Sequence, residues 1–165
     1  MFRRGVRLGV DVGSVRVGLA ACDPDGILAT PVESLPRDDS GSSSDIRRIA
    51  EEVTERNALE VIVGLPRSLD GTPRKAAELA TEYARRLASS VAPVPVRMVD
   101  ERMTTIDAHR ALRTSGVSGR KQRKVVDAVA AVIILQHAVD MERQTGRAPG
   151  DLVTGGAAPD TQEGR

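Results

Sequence analysis

The first part of the chain alternates short apolar stretches with turn residues. Each stretch has the length and the apolar and polar alternation of a β-strand. The predicted strands are Val6–Asp11, Val15–Cys22 and Ala29–Leu35. The sequence Asp23-Pro24-Asp25-Gly26, between the second and third strands, is a strong turn signal. The close spacing of the three strands therefore predicts an antiparallel meander.

Helical and strand patterns alternate along the rest of the chain. Apolar side chains that recur every three or four residues predict helices, and short apolar runs predict strands. The predicted helices are Asp45–Asn57 with Ser44 or Asp45 as N-cap, Pro73–Ser89 with Thr72 as N-cap, a short one from Thr105 to about Leu112, and a long apolar one from Lys124 to about Gln144. The predicted strands are Glu60–Gly64 and Val94–Val99.

This element order, βββ-α-β-α-β-α-α, predicts an α/β fold with a mixed five-stranded sheet and helices on both faces. The length of 165 residues suits one domain, which we assign to residues 1–145. Residues 146–165 are rich in Gly, Ala, Pro and Thr and are predicted to form a disordered tail. The polar segment 36–44 is predicted to be a flexible connection.

Composition limits the function classes. The net charge of +1 does not by itself indicate a polyanionic partner, and one Tyr, one Phe and no Trp leave little aromatic surface for base stacking. The single Cys22 excludes an intramolecular disulfide and a multi-cysteine metal site, so we expect a buried strand residue. We find neither a membrane-length apolar run nor a signal peptide, so the cytoplasm is the expected location.

Three carboxylates occupy positions that suggest chemistry. Asp11 ends the first apolar strand, Glu101 follows the strand Val94–Val99, and Asp127 lies in a helix that is apolar nearly all round. Each also has a purely structural explanation: a turn aspartate, a solvated strand edge, and a carboxylate in the first turn of a helix. An unpaired, buried Asp127 would be strongly unfavourable, so it must be paired, protonated or bound to a metal.

The three carboxylates would converge if the first strand and the strand Val94–Val99 run parallel and the last helix packs across their ends. Unit charges about 4 Å apart repel by roughly 4 kcal/mol near a protein surface, so such a cluster requires a cation. Carboxylate oxygens suit Mg²⁺ or Mn²⁺ rather than zinc. We therefore predict a metal site at Asp11, Glu101 and Asp127, and paired ions of this kind cleave phosphodiesters in line.

Basic and polar residues surround this predicted metal site. The predicted substrate-binding residues are Arg16, Arg67, Ser68, Arg102, Arg120, Lys121, Arg123 and Lys124. Arg120, Lys121 and Arg123 are expected in a loop before the final helix, which Lys124 begins. Arg67 and Ser68 precede a helix N-terminus that would favour phosphate. A solvated loop and an ordinary strand-to-helix turn are the structural alternatives. His109 and His137 have no partner at metal-ligand spacing and are expected to be structural or surface residues.

Four motifs, in order, resemble the YqgF family, also called RuvX. They are Gly9-Val10-Asp11-Val12-Gly13-Ser14-Val15-Arg16-Val17-Gly18, Val63-Gly64-Leu65-Pro66 with Asp70-Gly71-Thr72, Asp100-Glu101-Arg102-Met103-Thr104-Thr105, and Asp127-Ala128-Val129-Ala130-Ala131. The likeness runs from about Leu8 to Gln144. Val15 and Arg16 depart mildly from the family pattern, in which a Lys or Arg pair is commoner there.

The resemblance implies a ribonuclease H-like fold and a nuclease that acts in maturation of the 5′ end of 16S ribosomal RNA. The family was named for similarity to Holliday junction resolvases, so branched DNA is an alternative substrate. The resemblance also implies that Asp11, Glu101 and Asp127 form the acidic site. The expected partner is a nucleic acid and not a membrane, and the sequence leaves a homodimer open.

Two other functions fit parts of the sequence. The residues Asp11-Val12-Gly13-Ser14 with Asp23-Pro24-Asp25-Gly26 are similar to the first phosphate loop of sugar kinases and actin-like ATPases. Those proteins enclose a nucleotide between two such domains, for which this chain is too short. A catalytically silent RNA-binding or ribosome-assembly module is the other alternative, because a motif does not establish turnover.

Overall fold

Six strands and three helices make up the part of the chain that the computed structural model describes, residues 1–66, 74–100 and 119–155. The strands are β1 (Arg7–Val12), β2 (Arg16–Cys22), β3 (Ala29–Pro36), β4 (Glu60–Leu65), β5 (Val96–Asp100) and β6 (Asp151–Val153). The helices are α1 (Ser44–Arg56), α2 (Arg74–Val91) and α3 (Gly119–Thr145). Each element predicted in these ranges is present with its ends within two residues, except at the start of α3.

One mixed sheet joins the strands in the order β3-β2-β1-β4-β5-β6. β1 pairs antiparallel with β2 and parallel with β4, β4 pairs parallel with β5, and β6 is antiparallel to β5. Because β1, β4 and β5 run in the same direction, their carboxyl ends lie at one edge of the sheet. In open α/β sheets this is the edge where ligands bind.

Alternation along β1 separates the two faces of the sheet. Leu8 and Val10 lie in a core that contains the apolar side chains of α1 and α2. Gly9, between them, faces the opposite way and contacts α3. The second core, which includes Ile62 of β4, is formed with α3. The predicted arrangement of helices on both faces is therefore confirmed.

Gly9 lets α3 lie unusually close to the sheet. A Cβ atom at residue 9 would lie 2.7 Å from the Cβ of Leu135 and 2.8 Å from the carbonyl oxygen of Ala131. The second of these neighbours is helix backbone, which cannot move aside as a flexible side chain can. Any side chain at residue 9 would therefore push α3 away from β1.

A buried ionic network ties the last turns of α3 to the amino-terminal end of β1. Glu142 accepts hydrogen bonds from Nε of Arg3 at 2.9 Å and from Nη2 of Arg7 at 3.2 Å. Arg3 also binds Glu60 at 3.0 Å, and Arg97 lies 3.3 Å from the same carboxylate. Arg7, Glu60 and Glu142 are buried. Removal of one partner from such a network leaves a buried charge uncompensated.

Phe2 extends this network at the surface. Its ring lies between two guanidinium groups, 4.6 Å from Cζ of Arg7 and 4.5 Å from Cζ of Arg143. Arg143 also donates a hydrogen bond of 2.7 Å to the carbonyl oxygen of Asp25, in the turn between β2 and β3. These two cation–π contacts therefore help to hold the segment before β1 against the end of α3.

The sixth strand corrects two predictions. A five-stranded sheet and a disordered tail from residue 146 were predicted, but β6 lies within that tail and pairs with β5, with Leu152 opposite Arg97. The prediction of disorder was therefore wrong for residues 146–155, while residues 156–165 lie outside the described residues. Three residues surrounded by Gly, Ala and Pro give no strand signal; the exposed edge of β5 supplies the hydrogen bonds that order them.

Two helix starts also differ from the prediction. The N-cap of α1 is Ser43 rather than Ser44 or Asp45, and it makes no side-chain capping bond. Asp38 instead accepts a hydrogen bond of 2.8 Å from the main-chain nitrogen of Ser44, which orders the segment predicted to be flexible. Helix α3 begins at Gly119, so the basic residues expected in a loop are helical. Lys, Gln and Arg are good helix formers, and no Gly or Pro interrupts them after Gly119.

Substitution of Gly9 should reveal how closely α3 packs on the sheet. We expect Gly9→Ala to lower the free energy of unfolding by about 1–3 kcal/mol, the usual effect of overpacking, and Gly9→Val to lower it further. Urea denaturation followed by circular dichroism measures both. Unchanged denaturation midpoints in the two variants would contradict the observed contact between Gly9 and α3.

Glu142 should make the stability of the protein depend on pH. Burial acts to raise the pKa of Glu142, but the hydrogen bonds from Arg3 and the charges of Arg7 and Arg3 outweigh it and hold the pKa at about 2. A glutamate in the unfolded chain has a pKa of about 4.3. Between this value and the pKa in the folded protein, the unfolded state therefore binds more protons than the folded state. The stabilisation is complete above about pH 4.5 and is lost as the pH falls toward 2.

We therefore expect Glu142→Gln to lower the free energy of unfolding at neutral pH by about 3–5 kcal/mol, as when a buried ion pair is broken. The difference from the wild type should shrink as the pH falls below about 4. Urea titrations between about pH 3 and 7 measure it, with the exposed Glu55→Gln as the matched control. If the difference in free energy of unfolding between the wild type and Glu142→Gln does not change with pH, the charge of Glu142 is not the cause of that difference.

Candidate active site

Asp11 lies where β1 approaches the carboxyl edge of the sheet. It pairs with Gly18 of β2 and is half-buried. It is two residues beyond Gly9, so its side chain is on the face that α3 covers. With ladders on both sides of β1, the strand that carries Asp11 is fixed by hydrogen bonds to β2 and β4.

β4 and β5 reach the same edge at the same level. Val63 of β4 pairs with Val10 of β1 on one side and with Met98 of β5 on the other. The next side chain of β5, Val99, belongs to the core on the α3 face. Glu101 follows two positions later in the sequence and lies outside the described residues.

The contacts of α3 give its direction relative to β1. Glu142 bonds Arg7 at the beginning of β1, and Ala131 lies over Gly9 in the middle of that strand. The helix therefore runs antiparallel to β1. Residue 127 is one turn before Ala131, so the backbone carries it toward the end of β1 that holds Asp11. The side chain of Asp127 is outside the described part of the chain.

A tight turn follows Asp11. We call residues Gly13–Val15 the active-site turn. The main-chain nitrogen of Gly13 donates to the carbonyl oxygen of Arg16 at 2.9 Å, which closes the turn between β1 and β2. Val15 is 68% exposed and Arg16, a predicted substrate-binding residue, is half-buried at the start of β2. Both residues are therefore presented beside the strand end that carries Asp11.

Sequence reasoning missed Arg37, which lies against this turn. Its side chain is only 7% exposed, although it falls in the segment expected to be a flexible connection. Its Nη1 atom donates to the carbonyl oxygen of Gly13 at 3.3 Å, and its main-chain nitrogen donates to the carbonyl oxygen of Val15 at 2.8 Å. No sequence pattern indicates such burial for an Arg in a polar segment.

The other predicted substrate-binding residues divide into two groups. Arg67, Ser68 and Arg102 lie outside the described residues. The residues of the second group lie in the first two turns of α3, and the first turn contains no acidic residue. Their side chains are outside the described part of the structure. They are Arg120, Lys121, Arg123 and Lys124. The positive end of the helix dipole adds to their charge, so this helix end favours an anion.

The described residues contain one of the three predicted metal ligands with its side chain, Asp11. Within ranges 1–66, 74–100 and 119–155 there is no group of three His, Cys, Asp or Glu side chains that could hold an ion. The predicted donor set consists of carboxylates only, which fits Mg²⁺ or Mn²⁺ chemically. The backbone brings two of its positions, 11 and 127, to the same end of β1.

Cys22 and His137 lie away from this edge. Cys22 is buried at the end of β2, as predicted, and burial raises the pKa of its thiol, so it is a packing residue. His137 is exposed on α3, and His109 lies outside the described residues. In the described ranges no helix combines the length and the apolar character needed to cross a membrane.

Comparison with known proteins identifies relatives over nearly the whole chain. A protein of Rhodococcus opacus strain B4, named "Putative pre-16S rRNA nuclease", is 58% identical over 151 residues, which cover 90% of this chain and 84% of the relative. A Streptomyces coelicolor protein of the same name is 54% identical over 152 residues, covering 92% of this chain and 90% of the relative.

Solved structures support the fold. The RuvC protein of Thermus thermophilus, in complex with a Holliday junction substrate, matches with a TM-score of 0.51 at 18% identity, covering 86% of this chain and 97% of that one. The predicted ribonuclease H-like α/β fold is therefore confirmed. The family model described as "RuvX: Holliday junction resolvase" matches residues 5–141. The chain belongs to the RuvX family.

Proposed function

We propose that this protein is a metal-dependent nuclease that hydrolyses phosphodiester bonds in the 5′-end maturation of pre-16S ribosomal RNA. The observation that carries the proposal is the position of Asp11, at the carboxyl edge of the parallel strands and on the face covered by α3. Relatives at 54–58% identity that carry the name of this activity support the choice of substrate.

The proposed metal ligands are the carboxylates of Asp11, Glu101 and Asp127. We expect Glu101 to continue the alternation of β5, in which Val99 faces α3, so that it would share a face with Asp11. Asp127 would approach from the first half of α3. Bound Mg²⁺ or Mn²⁺ would supply an activated water and stabilise the leaving oxygen.

The chain's own residues would fix the geometry in which this chemistry occurs. β1 is held by ladders on both sides, and Asp11 itself pairs with β2, so the backbone that carries the Asp11 carboxylate would need little rearrangement when substrate binds. The predicted cations Arg16, Arg67 and Arg102, with Ser68, would hold phosphates next to the scissile bond. The basic start of α3 would bind the phosphate backbone without reading its sequence.

A Holliday junction is the second candidate substrate, because the matching family model carries that description. Both substrates are phosphodiesters and would use the same carboxylates. The cytoplasm, where ribosomal RNA is transcribed and processed, is the location we propose. A homodimer would suit a two-fold symmetric junction better than a single RNA end, so oligomeric state and substrate are linked.

Asp11→Asn is the decisive variant for the proposed function. It keeps the size of the side chain but removes the charge that an ion requires. We expect Mg²⁺-dependent cleavage of a pre-16S RNA fragment by the wild type, and a loss of more than about 100-fold in the variant. Titration calorimetry with Mn²⁺ should show weaker binding, because a carboxylate ligand is absent. The exposed Asp151→Asn is the matched control and should behave as the wild type.

Three results would separate the alternatives. Cleavage of a four-way DNA junction but not of the RNA would favour the resolvase. Binding of RNA without cleavage of either substrate would favour the silent assembly module. Cleavage that survives Asp11→Asn would point to a contaminating nuclease or to another site, and the proposal would fall.

The basic start of α3 should make RNA binding depend on salt. Phosphate contacts release counterions, so the logarithm of the binding constant should fall linearly with the logarithm of the salt concentration. We expect Lys121→Gln and Arg123→Gln each to reduce that slope by about 1, whereas the exposed Arg85→Gln on α2 leaves it unchanged. Fluorescence anisotropy measures the slope. Equal slopes for all variants would exclude this helix end from the RNA interface.

A further inference from the structure

The guanidinium of Arg37 is enclosed by groups from three parts of the chain. It lies over the ring of Tyr83 in α2, with Cζ 5.2 Å from the ring centroid. It binds Asp39 at 2.8 Å and donates to the carbonyl oxygen of Gly13. Tyr83, fully buried, donates its hydroxyl hydrogen to Asp45 of α1 at 3.0 Å. The positive charge is thus held in a fixed place by packing and by polar contacts.

This arrangement restrains the active-site turn at both ends. The carbonyl oxygens of Gly13 and Val15 both accept hydrogen bonds from Arg37, and the nitrogen of Gly13 is bonded to Arg16. The bond to Val15 continues the ladder beyond the pair Arg16–Pro36, where β2 and β3 would otherwise separate. The bond to Val15 is a main-chain bond, so the side chain of Arg37 contributes the bond to the carbonyl oxygen of Gly13, which connects the turn to the buried Tyr83 and to Asp39.

Burial of the Arg37 guanidinium lowers the stability of the fold unless its contacts compensate. Its Nε atom is buried and has no hydrogen-bond partner among the described residues. A buried donor left without a partner lowers the stability of the folded state. The carboxylate it does bind, on Asp39, is largely exposed and contributes little in water. The ring of Tyr83 and the carbonyl oxygen of Gly13 are therefore the contacts that hold the guanidinium in its buried place.

The turn presents an apolar side chain where the substrate would pass. Val15 is exposed and lies four residues beyond Asp11. The only Phe and the only Tyr of the chain are already engaged, Phe2 between two arginines and Tyr83 in the core. An apolar contact with a sugar or a base next to the scissile phosphate would therefore come from an aliphatic side chain such as Val15.

We propose that Arg37 is a positioning residue that holds the active-site turn so that Val15 packs against the sugar or base beside the scissile phosphate. The inference rests on the proposed function, because it assumes that nucleic acid lies across the Asp11 edge. Arg37 acts through the turn and does not touch the substrate. Val15 supplies affinity, while the carboxylates of the metal site are left unchanged.

A double-mutant cycle tests the link between the two residues. We expect Arg37→Gln and Val15→Thr each to raise the Kd for the pre-16S RNA fragment about tenfold, and the double variant to be little worse than either, because both remove one contact. Fluorescence anisotropy with Ca²⁺ in place of Mg²⁺ measures Kd without turnover. Arg37→Lys keeps a donor for Gly13 and should recover part of the affinity.

Two further measurements separate positioning from a general structural role. In steady-state cleavage the two variants should raise KM, with kcat within about threefold of the wild type. Mn²⁺ affinity by calorimetry should be unchanged, because the metal ligands are intact. Asp39→Asn removes the exposed partner of Arg37 but not its bonds to the turn, and it should bind RNA as the wild type does.

The outcomes distinguish this inference from the proposed function. A wild type that binds no nucleic acid overturns the proposed function. A wild type that binds RNA while Val15→Thr leaves Kd unchanged overturns the inference alone, and this exposed substitution gives that answer even if Arg37→Gln does not fold. Effects of the two substitutions that simply add would also overturn it, because independent contacts add.

Discussion

The contact between Gly9 and α3 is the constraint on which the rest of the structure depends. With no side chain at residue 9, the carbonyl oxygen of Ala131 and the side chain of Leu135 lie directly on β1. This close approach sets the height of the helix above the sheet. It also determines which residues of α3 lie near each end of β1, because the helix runs antiparallel to the strand.

The two ends of this contact have opposite chemical character. At the amino-terminal end of β1, arginines and glutamates form ion pairs with one another, and Glu142 bonds both Arg3 and Arg7. At the other end Asp11 lies at the edge where we propose that like charges gather around an ion. Repulsion among carboxylates opposes folding until a cation binds. The ionic network and the two apolar cores supply stability away from that edge, so the proposed site need not contribute to it.

Much of the fold and part of the site follow from local sequence patterns. The alternation Leu8-Gly9-Val10-Asp11 already assigns Asp11 to the face opposite the α1 and α2 core, and the apolar run around Ala131 indicates a buried helix. What local patterns do not contain are pairings between distant residues. Glu142 and Arg7 each resemble a surface charge, and nothing near either one indicates the other 135 positions away. The burial of Arg37 and the strand β6 were not predicted for the same reason, because both are ordered by neighbours that are remote in sequence.

The ionic network also has a consequence for synthesis of the chain on the ribosome. Arg3 precedes β1, yet its partner Glu142 is 139 positions later in the sequence. The β1–β2–β3 meander can form early, because its contacts are local, but Arg3 and Arg7 cannot form these bonds until Glu142 has been synthesised. Until then the α3 face of the nascent sheet exposes apolar residues such as Ile62 to solvent. Closure of α3 over that face is therefore the step that removes this apolar surface from solvent.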